Sequence, residues 1–450
     1  MGLTLIRKST GTRPKANPKV ALVLAGGAVS GGAFKVGGLK ALDDYLVDRK
    51  ITDLDTYIGL SAGSILAVSL AGGVKPDEMI KVLEGTSTKL EQLAPHHFYH
   101  PNLSEFVNRP ARFLVDLLTY TPSVAVELAR QIPDLPNVVG PSLRALIDKP
   151  SYTRVEELVM RLIEHVSPKR EVPSLTNLVP TGLFDTRGLE QWLSGSLEKM
   201  GVPNDFRAFE SDLGKRLYIA ACDLDTAERV VFGPDEKADV SISKAVQAST
   251  ALPLFFRPAR IGGIDYIDGG IRNTANIDVA IEKGADLIIC YNPFRPFHNR
   301  LSEPGEEEHF VAGAPLADGG MLNVINQVFR TLLHSRLRSA LQRYVSDTRF
   351  KGDIVLLEPR EHDAEFFGMN PLAFWKRADA IREGFESARV SIESNFDELS
   401  AVLGRYGLEM NRSSARRRAS RLRAARGWRV SKTDAPQAGG RSPKLKVVGA

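Results

Sequence analysis

Short, unbroken apolar runs alternate along the chain with longer stretches of helical period. Val20 to Leu24, Thr56 to Ile58, Arg216 to Ala221, Arg229 to Phe232, Leu287 to Cys290 and Asp353 to Leu357 predict strands, several of them apolar throughout as strands buried on both faces are. Ala33 to Leu46, Ser64 to Ala71, Val155 to Glu164, Leu189 to Leu197, Met321 to Tyr344 and Leu372 to Leu403 predict helices. Strands alternating with helices point to one large α/β unit.

The segment from His96 to Pro173 departs from that rhythm. It is helical and apolar, and Pro110, Pro122, Pro133, Pro136 and Pro141 punctuate it. It reads as an insertion at 96–173, a candidate cap over a cleft. Within it Phe113 to Leu118 and Val124 to Ala129 are amphipathic, which suits packing on a core or docking on a lipid surface, and neither approaches a membrane-spanning length.

Composition changes the picture mainly at the ends. The chain has 450 residues, 43% of them hydrophobic, ample for a large core. A net charge of +5 conceals a strong asymmetry. Residues 411–450 carry twelve Lys and Arg against one acid, Asp434, and residues 1–20 carry five against none, so the chain between them is acidic. Residues 1–18 read as a flexible basic arm, 19–405 as the folded domain and 406–450 as a basic, disordered tail. Arg416, Arg417, Arg418, Arg421, Arg423, Arg426, Trp428 and Arg429 suit a solvated tail or anionic lipid headgroups, with nucleic acid the less expected partner. Cys222 and Cys290 sit in apolar strands and imply packing rather than a disulfide framework. The first residues lack the apolar core of a signal peptide, and the expected setting is cytoplasmic, peripheral to a membrane.

Three glycine-rich places carry candidate chemistry. Gly59-Leu60-Ser61-Ala62-Gly63 stands between a strand and a helix, where a nucleophilic serine needs a sharp turn and small neighbours on both sides. A tight turn with no chemistry fits the same five residues. Upstream, the strand Val20 to Leu24 runs into Ala25-Gly26-Gly27-Ala28-Val29-Ser30-Gly31-Gly32, a turn whose backbone N–H groups suit an oxyanion or a phosphate. GxGxxG spacing and a following GK[ST] are both missing, which favours the oxyanion role. Far downstream, a two-glycine turn at Gly262-Gly263 leads to Asp268-Gly269-Gly270, so a hairpin delivers Asp268 to a bend. On its own that aspartate is equally a turn residue.

Together these blocks resemble the patatin-like phospholipase family. The resemblance rests on the glycine loop before GLSAG, on Leu183-Phe184-Asp185-Thr186-Arg187-Gly188-Leu189, and on Ala245 to Pro253 leading into Asp268-Gly269-Gly270. It covers residues 19–295 firmly and 296–405 loosely. It implies a three-layer sandwich with a central, mostly parallel sheet between helices, plus the helical cap. It also implies a Ser–Asp dyad of Ser61 and Asp268, motif glycines at Gly59, Gly63, Gly269 and Gly270, an oxyanion hole from Gly26, Gly27 and Ala28, a phospholipid or other lipid ester as substrate, and no metal or organic cofactor.

An aspartate of ordinary acidity is a weak base for a hydroxyl, so the dyad requires Asp268 to lie beside Ser61 in a partly buried apolar cleft. The glycine loop departs from the family, which has a third consecutive glycine and an Arg or Lys where this chain has Ala28 and Val29-Ser30-Gly31. A Ser, Asp, His order finds His298 and His309 in a polar stretch and His334 in a helical one, which favours the dyad. His96, His97 and His100 lack carboxylate or cysteine company at metal-ligand spacing. Phe255 and Phe256 are candidate walls of an acyl channel. The expectation is a lipid acyl hydrolase of phospholipase A or lysophospholipase type. A general carboxylesterase or transacylase, and a non-catalytic membrane-associated scaffold, are the alternatives.

Overall fold

The computed structural model describes residues 2–9, 13–112, 115, 130, 132–148, 154, 157–158, 179–299, 315–428 and 446–448. In chain order the main elements are β1 (Leu3–Ile6), β2 (Val20–Leu24), α1 (Ala28–Tyr45), β3 (Thr56–Leu60), α2 (Ala62–Ala71), α3 (Pro76–Glu84), α4 (Leu135–Asp148), α5 (Arg187–Met200), β4 (Arg216–Asp223), β5 (Arg229–Phe232), α6 (Ile242–Ser249), β6 (Ala259–Ile261), β7 (Ile264–Asp268), α7 (Ile277–Glu282), β8 (Leu287–Tyr291), α8 (Met321–Ser346), β9 (Asp353–Leu357), α9 (Arg377–Ser394), α10 (Phe396–Gly404), α11 (Arg412–Arg426) and β10 (Lys446–Val448). The chain divides into two compact units, residues 1–100 with 184–450, and residues 101–183.

The first unit holds a 10-stranded sheet in the order β10-β1-β9-β8-β2-β3-β4-β7-β6, with β5 also on β4. Its centre, β9-β8-β2-β3-β4, is parallel. Period-two alternation sends each central strand's side chains to opposite faces. Leu22 and Leu24 of β2, Tyr57 of β3 and Leu287 and Ile289 of β8 enter the core beneath α1, α2 and α9. Ala21 and Val23, Ile58, Ile288 and Cys290 enter a second core with α7 and α8. Helices therefore cover both faces, which is why the central strands are apolar without interruption. Cys222 and Cys290 are buried free thiols.

Helix α1 lies against α9 at backbone distance. A Cβ at Gly37 would stand 1.9 Å from the Ile381 carbonyl oxygen, and one at Gly384 would stand 1.9 Å from that of Phe34. Glycine thus works inside both helices, where its propensity is poor, because tertiary approach outweighs it.

The structure corrects four sequence expectations. The residue 1–18 arm contains a buried strand, since Leu3, Leu5 and Ile6 pair with β9 and enter the core. Its cations all follow that strand. The tail is folded through residue 428: Ala415 and Ala419 of α11 are buried, Trp428 packs on Phe385, and Arg416, Arg423 and Arg426 pair with Glu393, Glu386 and Glu84. The acidic body thus partners part of the basic end. Helix α1 begins at Ala28 rather than Ala33, which makes five of the eight residues of the glycine-rich stretch helical. The long helix over 372–403 is instead a 3₁₀ turn, Phe374–Lys376, followed by α9 and α10.

In the second unit α4 is described, with Pro141 inside it, and Glu105 bonds both Arg109 and Thr181. The amphipathic segments at 113–118 and 124–129 and the helix over 155–164 lie largely outside the described residues. Among the described residues no helix is long and apolar enough to cross a membrane.

Candidate active site

Ser61 occupies the step from β3 into α2, with φ 52° and ψ −132°. That conformation is strained for a residue with a Cβ, and it projects the side chain off the sheet end. The two motif glycines make the step possible. A Cβ at Gly59 would lie 2.4 Å from the Ser64 Cα, and one at Gly63 would lie 2.2 Å from the Leu24 carbonyl oxygen. The turn is locked by hydroxyls: Ser64 Oγ donates to the Ser61 carbonyl at 2.6 Å, and the Ser61 N–H donates to Ser249 Oγ at 2.8 Å. Ser249 Oγ in turn donates to the Ala220 carbonyl at 2.7 Å. Ser249 therefore ties the end of α6 to both β3 and β4.

Asp268 arrives from the other side of β4. The hairpin of β6 and β7 closes through Gly262 and Gly263, both at positive φ, as a tight two-residue turn requires. Asp268 pairs with Ala221 of β4, while Leu60, just before Ser61, pairs with Ala220 of the same strand. The carboxylate is buried beside Ser61 and accepts the Gly270 N–H at 2.8 Å. Burial pushes its pKa up to about 6, against the opposing effect of the neighbouring Ser61 hydroxyl, the Gly270 N–H and the Lys35 charge. A carboxylate so placed is a markedly better proton acceptor than one in water.

The loop between β2 and α1 completes the arrangement. A Cβ at Gly26 would approach Ser61 Cβ to 3.2 Å, so this backbone passes directly beside the serine. Gly27 has φ 147° and Ala28 φ 50°. The N–H groups of Val29 and Ser30 donate to the Pro371 carbonyl, at 3.1 and 3.0 Å. Among the described residues no acceptor takes the N–H groups of Gly26, Gly27 or Ala28. Gly31 and Gly32 lie in α1, where a Cβ would press on Pro293 and Ala62 at 3.3 Å each. These glycines serve helix packing and not the loop itself. Beneath the loop lies Lys35, fully buried, with Nζ donating to the carbonyls of Ala25 and, at 2.9 Å, Gly26.

A family model, patatin-like phospholipase, matches residues 22–281. The chain belongs to the patatin-like phospholipase family. Among curated proteins it is 27% identical over 146 residues to the uncharacterized protein YjjU of Escherichia coli K12, covering 32% of this chain and 38% of that protein. It is 25% identical over 118 residues to the probable lipid hydrolase 463L of Invertebrate iridescent virus 6, covering 24% and 41%. The chain thus spans about two fifths of the length of each of these relatives. Among solved structures, VipD from Legionella pneumophila is 17% identical with a TM-score of 0.35, covering 87% of this chain and 70% of that one. Human GIVD cytosolic phospholipase A2 in complex with methyl gamma-linolenyl fluorophosphonate is 12% identical with a TM-score of 0.29, covering 86% and 60%.

In this patatin-like chain Ser61 opens onto a narrow, predominantly apolar pocket. Ile65, Leu66, Leu83, Leu93, Phe98, Leu189, Leu252, Phe256 and Phe374 line it, with Thr186, Thr250 and Arg377 as its few polar side chains besides Ser61. Phe256 is a wall of the pocket and Phe255 is not, because consecutive strand residues point to opposite sides. Among the described residues no three His, Cys, Asp or Glu side chains converge to hold a metal ion. Sequence reading named Ser61, Asp268 and the Gly26–Ala28 loop, which the fold brings together. It did not single out Lys35 or Ser64, and it quoted Ser249 without a role.

Proposed function

We propose that the protein is a lipid acyl hydrolase of phospholipase A or lysophospholipase type, with Ser61 as nucleophile and Asp268 as its direct proton partner. The observation that carries this reading is the strained Ser61, set beside a buried aspartate and facing an apolar pocket. The acyl chain lies among Leu66, Leu189, Phe256 and Phe374, which places the ester carbonyl at Ser61. Asp268 takes the hydroxyl proton as Ser61 Oγ bonds the carbonyl carbon, and the π electrons move onto the carbonyl oxygen. The free N–H groups of Gly26, Gly27 and Ala28 stabilise that oxyanion. Its collapse expels the alkoxide of the lysolipid, or of the glycerophosphodiester where a lysolipid is the substrate, which takes the proton from Asp268. Water then enters, gives its proton to Asp268 and attacks the acyl-serine, and the proton returns to Ser61 as the fatty acid leaves.

The lining favours an acyl chain over a short ester acid, since burying methylenes is worth about 0.8 kcal/mol each. Mass spectrometry of fatty acid and lysolipid released from mixed phospholipid liposomes tests the reading. Wild type should release both, and Ser61→Ala and Asp268→Asn should release neither. Equal release from all three would overturn it. Transfer of the acyl group to glycerol in place of water would identify a transacylase. Failure of Ser61 to react with a fluorophosphonate, together with liposome binding, would identify a scaffold.

A further inference from the structure

We infer that Lys35 is a positioning residue for acyl transfer: its ammonium holds the Ala25–Gly26 and Gly26–Gly27 peptide planes from behind, turning the N–H groups of Gly26 and Gly27 toward the carbonyl oxygen that Ser61 attacks. The inference rests on the hydrolase reading above. Its geometry is local and specific. In a trans peptide the C=O and N–H point in opposite directions, and this chain has no cis peptide bond among its described residues. Lys35 Nζ binds the carbonyl ends of the two units whose N–H ends belong to Gly26 and Gly27. Those are N–H groups that nothing among the described residues accepts. The cation is therefore clamped to one end of each plane while the other end is left open beside Ser61.

A lysine is a costly choice for this place. An ammonium without solvent and without a bonded carboxylate is unfavourable, and a methionine would fill the same volume. Nζ instead donates to two main-chain carbonyls, and its charge polarises both units in the direction that strengthens their N–H groups as donors. The ionisable groups facing it are Cys290 on β8 and Asp268 on β7. Burial brings Lys35 down to about 7, against the opposing pull of the Asp268 carboxylate, so the charge is present below neutrality and lost above it.

The test compares full-length wild type, Ser61→Ala, Lys35→Met and Lys35→Gln on a long-chain acyl ester, with rates normalised to folded protein by circular dichroism. Lys35→Met should lower kcat about 10²- to 10³-fold, as loss of oxyanion donors does, with KM within about threefold of wild type. The acid limb of its residual kcat/KM should move to higher pH, because the charge that favours ionised Asp268 is gone. Lys35→Gln, which keeps a donor without the charge, should recover part of kcat and none of that shift. A variant of unaltered kcat per folded molecule, or one with reduced kcat and an unmoved acid limb, overturns the inference. Should both variants fail to fold, wild type alone decides. An alkyl trifluoromethyl ketone, which binds serine as an oxyanion, should lose affinity between about pH 7 and 9, whereas the corresponding alcohol should not. A flat ketone profile overturns the inference. Wild type no more active than Ser61→Ala would instead refute the hydrolase reading itself.

Discussion

Ser61 and Asp268 meet across a single strand. Leu60 pairs with Ala220 and Asp268 pairs with Ala221, so the serine step on β3 and the end of β7 flank β4 at adjacent registers. Strands about 4.8 Å apart place the two backbones roughly 10 Å from each other, a span that a carboxylate and a hydroxyl reaching inward can close. Two residues separated by more than two hundred positions thus depend on the register of one strand. The same strand carries Ala220, whose carbonyl anchors Ser249.

The burial that raises the Asp268 pKa also costs stability. Its folded pKa is raised from 3.8 to about 6, so between these values the native state binds more protons than the unfolded chain. Stability from this group is therefore lost as pH rises through that window, on the order of 3 kcal/mol once both states are ionised. Asp268→Asn should be inactive yet melt above wild type at pH 8, the gap narrowing toward pH 5. Scanning fluorimetry across that range checks it, and a variant less stable than wild type at pH 8 would contradict it. For wild type, kcat/KM should rise with pH through about 6 as the carboxylate ionises.

Ser249 joins two strands and a helix through one hydroxyl. Ser249→Ala would leave the buried Ser61 N–H without its acceptor, a loss of about 1–3 kcal/mol. Because that N–H belongs to the Ser61 turn, the proposed mechanism expects kcat to fall roughly tenfold while KM changes little, a small displacement at the reacting atom being enough. Urea unfolding and steady-state kinetics on the same preparation separate the two effects. Unchanged stability would show that water or another group replaces the hydroxyl.

Sequence alone exposed the strands β2, β3, β8 and β9 because each is apolar on both faces, and it exposed Ser61 and Asp268 because glycines surround them. What it hid is tertiary. Gly31 and Gly32 look like loop residues in a linear reading, and only the approach of Pro293 and Ala62 makes them helix-packing glycines. Lys35 looks like an ordinary surface cation until the fold places it under two carbonyls. The arginines of α11 look like a solvated tail because their acids, Glu84, Glu386 and Glu393, lie far away in sequence.

On the proposed mechanism, the pocket sets the acyl length of the substrate. Leu66 lines it from α2, five residues beyond Ser61 and more than one helical turn away. Leu66→Trp should fill part of the volume available to the acyl chain without touching the dyad. The preferred chain should shorten, with hydrolysis of long-chain esters falling tenfold or more, about 1.4 kcal/mol, relative to short ones. A series of esters of increasing acyl length measures this. A uniform loss at every length would mean that the helix, and not the pocket, had been disturbed.

The basic C-terminal helix separates two physical pictures. A solvated tail can be removed with no effect on folding, whereas α11 buries Ala415 and Ala419 and is followed by Trp428 packed on Phe385. Arg423 also pairs with Glu386, a buried carboxylate held below its ordinary value despite the opposing effect of burial, by Arg423 and Arg389 together. Truncation after Met410 would expose that surface and leave Glu386 with Arg389 as its remaining ion-pair partner. Removing one partner from a buried pair and uncovering an aromatic cluster should cost about 3 kcal/mol or more, a drop of several degrees in Tm for a chain of this size. Arg423→Met should reproduce part of that loss, and Glu386→Gln combined with it should restore some stability because the uncompensated carboxylate is then gone. A truncated protein with unchanged Tm would return these residues to the status of a tail.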